Sequence, residues 1–201
     1  MLECLQPASV FAYFEEICSI PHGSYNISKI SDYLVDFAKQ RNLQYTQDKV
    51  GNVIIVKEAS HGYEDKEPVI IQGHMDMLAV KEDGCTKDMQ TEGLDLFVDG
   101  DWIGAKGTSL GGDDGIAVAY ALALLADTSI AHPPLEIIIT VDEEIGMLGA
   151  NDIDLSMLLG RTLINLDSEE EGIFLTGCAG GMRVHAVIPA NKVPLEGTCV
   201  E

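Results

Sequence analysis

Four short motifs in this chain place histidine or carboxylate side chains where apolar runs end. Val69-Ile70-Ile71-Gln72 leads into Gly73-His74-Met75-Asp76, and the loop Gly111-Gly112-Asp113-Asp114-Gly115 opens an Ala-rich run. Val141-Asp142-Glu143-Glu144 follows a β-branched stretch, and Asn165-Leu166-Asp167 closes a fourth apolar run. One imidazole and several carboxylates from separate segments make a nitrogen-and-oxygen ligand set that suits zinc, with manganese or cobalt as substitutes. Such an ion lowers the pKa of a bound water to about 7, and a pair of ions also polarises a peptide carbonyl. The chemistry indicated is metal-assisted hydrolysis.

Taken singly, each motif has a plainer explanation. Strand side chains repeat every two residues, so Asp76 can lie beside His74 and orient its imidazole, but a lone histidine is more often a hydrogen-bonded residue near the core. Either Asp113 or Asp114 also suits a helix N-cap. Three successive acids at 142–144 are costly beside an apolar strand end, and their repulsion invites a cation. Neighbouring side chains there project differently, so one glutamate can bind metal while the other faces a water as a base. Glu169, Glu170 and Glu171 read as a solvated turn. The set carries more weight than its members.

These motifs need a scaffold that gathers strand ends. Ser9 as N-cap, then Val10, Phe11, Phe14, Ile17 and Cys18 at helical spacing, predict a first helix that stops at Pro21-His22-Gly23. Asn26 caps a second, with Ile27, Ile30, Leu34 and Phe37 as its stripe. Strands are expected at 52–56, 69–72, 135–141, 162–166, 173–176 and 182–188, and a helix at 116–126. A hairpin over 96–105 turns at Asp99-Gly100, with Trp102 packed against it. The alternation predicts an α/β three-layer sandwich around a largely parallel sheet, whose functional crevice lies beyond the carboxyl ends of the strands.

Composition narrows the partners. The 201 residues carry a formal charge of −21, which disfavours nucleic acid and anionic membrane surfaces. Apolar runs fall short of the roughly 20 residues of a membrane span, and the start lacks the pattern of a secretory leader. Five cysteines, odd in number and without a C-x-x-C pair, fit a reducing cytoplasm and exclude a cysteine zinc site.

In order along the chain, Ile20-Pro21-His22, Gln72-Gly73-His74-Met75-Asp76-Met77, Gly107-Thr108-Ser109-Leu110-Gly111-Gly112-Asp113, Glu143-Glu144, Asp167-Ser168-Glu169-Glu170-Glu171-Gly172 and Gly177-Cys178-Ala179-Gly180-Gly181 together resemble the two-zinc exopeptidases. That family includes aminoacylases, carboxypeptidases and, nearest in motif, the aminoacyl-histidine dipeptidases. The resemblance implies a truncated zinc-exopeptidase-like fold. Residues 1–180 would be the N-terminal part of the catalytic domain, and 181–201 the start of a lid and dimerisation domain. It assigns His74, Asp113 and Asp167 to one zinc, and the bridging Asp113 with Glu144 to the second. Glu143 becomes the general base, with Asp76 supporting His74 and Asp114 the lesser of its pair. A further histidine ligand is expected far downstream, and His22, His61, His132 and His185 do not match it. Gly112 and Ser109 stand where the family often has Ala and Thr, which leaves the ligands intact.

The implied activity is hydrolysis of dipeptides, Xaa-His among them, by a homodimeric, cytoplasmic parent acting on small peptides. The ligands alone leave an aminoacylase, a carboxypeptidase or a catalytically silent metal-binding fragment open.

Overall fold

The strands that read as apolar runs become the centre of one sheet. The structure, a computed structural model, describes residues 2, 4–168, 170, 172–177 and 184–190. Helices α1 (Ala8–Cys18) and α2 (Ser28–Gln40) precede β1 (Gln44–Gln47), β2 (Val53–Lys57) and β3 (Val69–His74). A hairpin of β4 (Leu96–Asp99) and β5 (Trp102–Ala105) follows, then α3 (Gly112–Ala126), β6 (Leu135–Thr140), α4 (Leu148–Asp152) and β7 (Thr162–Asn165). Five strands form a sheet in the order β1-β2-β6-β3-β7, and β4-β5 stand apart as a second. The side that carries the motifs is parallel: β3 pairs with β6 and with β7 in that sense, while β1-β2 and β2-β6 are antiparallel.

Alternation sorts the sheet's two faces. Val53, Ile55, Ile71, Ile137 and Ile139 share a core with Phe14 and Ile17 of α1, Leu34 of α2 and Val118 and Leu122 of α3. Ile54, Ile70 and Ile138 are buried on the opposite face. A segment after α4 crosses that face: Met157 Sδ accepts from Thr46 Oγ1 of β1, and Leu159 and Gly160 bond to Glu136 of β6. Every residue of β6 is buried, as expected of a central strand with parallel and antiparallel neighbours.

Several local expectations change. The N-cap of α1 is Pro7 rather than Ser9, because the fixed φ of proline starts the helix two residues earlier and its carbonyl accepts the Phe11 N–H at 3.2 Å. Ile27, not Asn26, precedes α2, since the Asn26 amide is drawn to the Gln90 carbonyl at 3.0 Å. In the hairpin Asp99 pairs with Trp102, so Gly100 and Asp101 make the turn. Trp102 is 79% exposed: a two-stranded ribbon offers its ring no second layer. Residues 173–176 and 184–188 are not strands, having no partner strand among the described residues, and Met182 lies outside these.

The chain divides into a compact unit, Met1–Ser168, and a second, Glu169–Glu201, which holds no helix or strand among its described residues. Gly180 and Gly181, where the lid was expected to begin, lie outside the described residues, as do Glu169, Glu171, Cys178 and Cys199. Cys4, Cys18 and Cys85 are free thiols. No described helix is long and apolar enough to cross a membrane.

Candidate metal centre

β3, β6 and β7 end side by side, and α3 begins opposite them, so the four motifs meet at one edge of the sheet. His74, the last residue of β3, is 1% exposed in its side chain. Its Nδ1 lies 2.9 Å from the Asp76 carbonyl and 3.4 Å from Asp76 Oδ1, which makes that nitrogen a donor. Nε2 faces outward to Asp113 Oδ1 at 3.1 Å, Asp167 Oδ2 at 3.9 Å and Glu143 Oε2 at 3.9 Å. His74, Asp113 and Asp167 each offer one ligand atom within 4.8 Å of the other two.

The electrostatics ask for positive charge at that point. Burial alone disfavours an imidazolium, but Asp76, Asp114 and Asp167 outweigh it and raise His74 to about 10. With Nδ1 already donating, Nε2 holds either a proton or a cation. A histidine whose other nitrogen is held by a carbonyl, facing two carboxylate oxygens, fits zinc's preference for mixed nitrogen and oxygen ligands. The donor set therefore fits a divalent ion.

Asp76 organises the surroundings. It is 1% exposed, and it accepts the Ser24 hydroxyl at 2.8 Å and the Glu143 N–H at 2.9 Å. Burial works against its charge, yet the bonds from His74, Glu143 and Ser24 hold its carboxyl below the usual range. One carboxylate thus fixes the imidazole and the backbone of the 142–144 loop. That loop is tied again where Asp142 Oδ1 accepts the Tyr25 N–H at 2.7 Å, both residues having left-handed φ, 52° and 65°. Glu143 is raised, chiefly by burial, with His74 opposing and Asp167, Glu144 and Asp76 adding to it.

Glu144 points elsewhere. Its Oε1 accepts the Leu78 N–H at 3.2 Å, and it is not part of the His74–Asp113–Asp167 group. Of the other histidines, His22 and His132 are buried, with Nδ1 on the carbonyls of Ile20 and Pro133. His61 and His185 are exposed.

Three residues support the site in ways that the sequence did not indicate. Asp114, next to the expected ligand, is 2% exposed, and its Oδ2 accepts the His74 backbone N–H at 3.1 Å. Burial raises it to about 7, against the pull of His74. Gly73 makes room for it: a Cβ there would sit 2.5 Å from Asp114 Oδ2. Asn52 is buried, receives the Val141 N–H at 3.0 Å and donates to Asp48 and the Gly149 carbonyl, fixing both ends of the acidic loop. At the helix start Gly111 is left-handed (φ 70°), and α3 winds regularly only after Asp114. No side chain caps this start, so the alternative of Asp113 or Asp114 as an N-cap does not hold, and Asp113 faces His74.

No family model matches the chain. A tripeptidase from Staphylococcus aureus shares the fold, with a TM-score of 0.68 over 81% of this chain and 43% of its own, at 21% identity. Much nearer is the aminoacylhistidine dipeptidase of Vibrio alginolyticus, with a TM-score of 0.83, 40% identity and coverage of 86% of this chain and 35% of that one. The cytosol non-specific dipeptidase of Escherichia coli is 42% identical over 181 residues, 90% of this chain and 37% of the relative. The resemblance read from the motifs is borne out, and the chain spans little more than a third of the length of these dipeptidases.

Proposed function

We propose that this chain is the metal-binding part of a dipeptidase, and that His74, Asp113 and Asp167 hold one zinc ion in it. The observation that carries the reading is the convergence of two carboxylate oxygens on His74 Nε2 while Nδ1 is engaged by Asp76. A divalent ion bound there supplies Lewis acidity and an acidified water. Asp76 keeps the imidazole in one tautomer and holds the Glu143 backbone. Glu143, its carboxyl raised chiefly by burial, takes the proton from the attacking water and passes it to the leaving amine. A second ion would be held by Asp113 and Glu144, the latter now accepting from the Leu78 N–H. The whole protein cleaves dipeptides, Xaa-His among them, as a cytoplasmic homodimer; the names of the Vibrio and Escherichia coli relatives support the substrate class.

Metal analysis of the purified chain tests the site: one tightly held zinc is expected, and none would refute it. In the complete protein, Glu143→Ala lowers Xaa-His hydrolysis by about 10²–10⁴-fold with zinc retained. Undiminished hydrolysis would remove Glu143 from its role.

A further inference from the structure

Glu136 is a carboxylate where an aliphatic side chain is expected. It is the second residue of β6, whose other residues are Leu, Ile and Thr, and it is 3% exposed. A charge so placed is tolerated only with partners, and it has two: Oε1 accepts the Leu159 N–H at 2.8 Å and Oε2 the Gly160 N–H at 2.9 Å. Gly160 fits closely, since a Cβ there would lie 2.8 Å from Ile70 Cγ1 and 3.0 Å from Glu136 Oε2. Both donors sit just ahead of β7.

β7 needs such a fastening. It is a four-residue strand, exposed throughout and, among the described residues, paired on one side only, with β3. Beyond that ladder it is held by Asn165 Nδ2 on Gln72 Oε1 at 2.5 Å and by the Leu166 N–H on the Gln72 carbonyl at 3.0 Å. Asp167 follows directly. A strand this short slides or peels unless its entry is fixed, and a slip of one residue turns every side chain to the other face.

We propose that Glu136 is a positioning residue for Asp167: its buried carboxylate clamps the entry of β7 and so fixes the register that brings Asp167 opposite His74. The consequence for zinc rests on the metal-site reading above; the placement of Asp167 does not. Two charge-assisted bonds, to adjacent N–H groups, specify one height of the strand where an apolar contact would allow several.

The test is Glu136→Gln, whose amide can accept from only one of the two donors. Three readouts are compared with the unmodified chain: hydrogen exchange of the backbone amides, zinc affinity by titration, and the visible absorption of the cobalt-loaded chain. Faster exchange from Leu159 through Leu166, zinc affinity lowered by about tenfold and an altered cobalt spectrum are expected. Faster exchange at Leu159 and Gly160 alone, with affinity and spectrum unchanged, would show a merely local role and overturn the inference. If the unmodified chain takes up no zinc, the metal reading fails, and exchange at Leu166 and Asp167 then decides the positioning: acceleration supports it and its absence overturns it. Should Glu136→Gln not fold, Glu136→Asp keeps the charge on a shorter arm and is read in the same way.

Discussion

Zinc binding to this chain should be tightly coupled to pH, because the ion replaces a proton that the site holds strongly. In the metal-free chain His74 is raised to about 10, burial being outweighed by Asp76, Asp114 and Asp167. At pH 7 that proton sits about three decades below its own pKa, so it weakens zinc binding by about a thousandfold, or about 4 kcal/mol. Apparent affinity therefore rises by roughly tenfold per pH unit between pH 7 and 8.5, with about one proton released per zinc. Titration calorimetry in two buffers of contrasting ionisation enthalpy measures both quantities. An affinity flat in pH, with no proton released, would refute the reasoning, since it would mean that Nε2 is already free. The same shift has a sign in stability. His74 lies above its unfolded value of about 6.5, so its contribution to the metal-free fold is full below that pH and is lost as pH rises through about 10. Asp114, raised to about 7 chiefly by burial, costs stability increasingly from about pH 4 to 7. Both make the metal-free chain weaker in mild alkali than in mild acid.

Three substitutions probe the supports. Gly73→Ala drives a methyl group to 2.5 Å from Asp114 Oδ2, and denaturant unfolding should show a loss of about 1–3 kcal/mol with weakened zinc binding; unchanged affinity would count against the close fit. Asp76→Ala strands the Ser24 hydroxyl and the Glu143 N–H and removes the carboxylate charge beside His74, whose Nδ1 keeps the residue 76 carbonyl; it should cost about 3 kcal/mol at pH 7 by the same measurement. Because the Asp76 carboxyl is lowered in the fold, that difference shrinks as pH falls below about 4. Asn52→Ala leaves the Val141 N–H unpaired and the Gly149 carbonyl with the Ile153 N–H alone, for an expected loss of about 2 kcal/mol in thermal unfolding, and no loss would remove Asn52 from the loop's support.

Much of the site was legible because apolar strands announce themselves and their acidic ends stand out against them. The runs at β3 and β6 and the Ala-rich α3 needed only composition, and the motifs then fell at their ends. β1 was missed because Gln44, Tyr45, Thr46 and Gln47 are all exposed and carry no alternation. Asn52 was read as part of a strand, though it is a buried polar joint whose value lies in partners distant in sequence. Trp102 was misjudged because a large ring packs only where a second layer exists. The roles of Asp113 and Asp114 could not be separated from spacing, since the difference between them is which one burial takes: Asp114 lies under Gly73 and Asp113 stays open to Nε2.

The three groups facing one another at the sheet edge belong to β3, the start of α3 and the residues after β7, so their meeting depends on pairings between remote parts of the chain. No local turn or single helix can gather them, and contacts of this separation form slowly. An ion therefore cannot serve as a seed around which the chain collapses, as it does in small zinc-folded modules. On the proposed metal reading it would act as a latch, closing only on a sheet already assembled, and the rate of zinc capture by a refolding chain would time the arrival of its last strand.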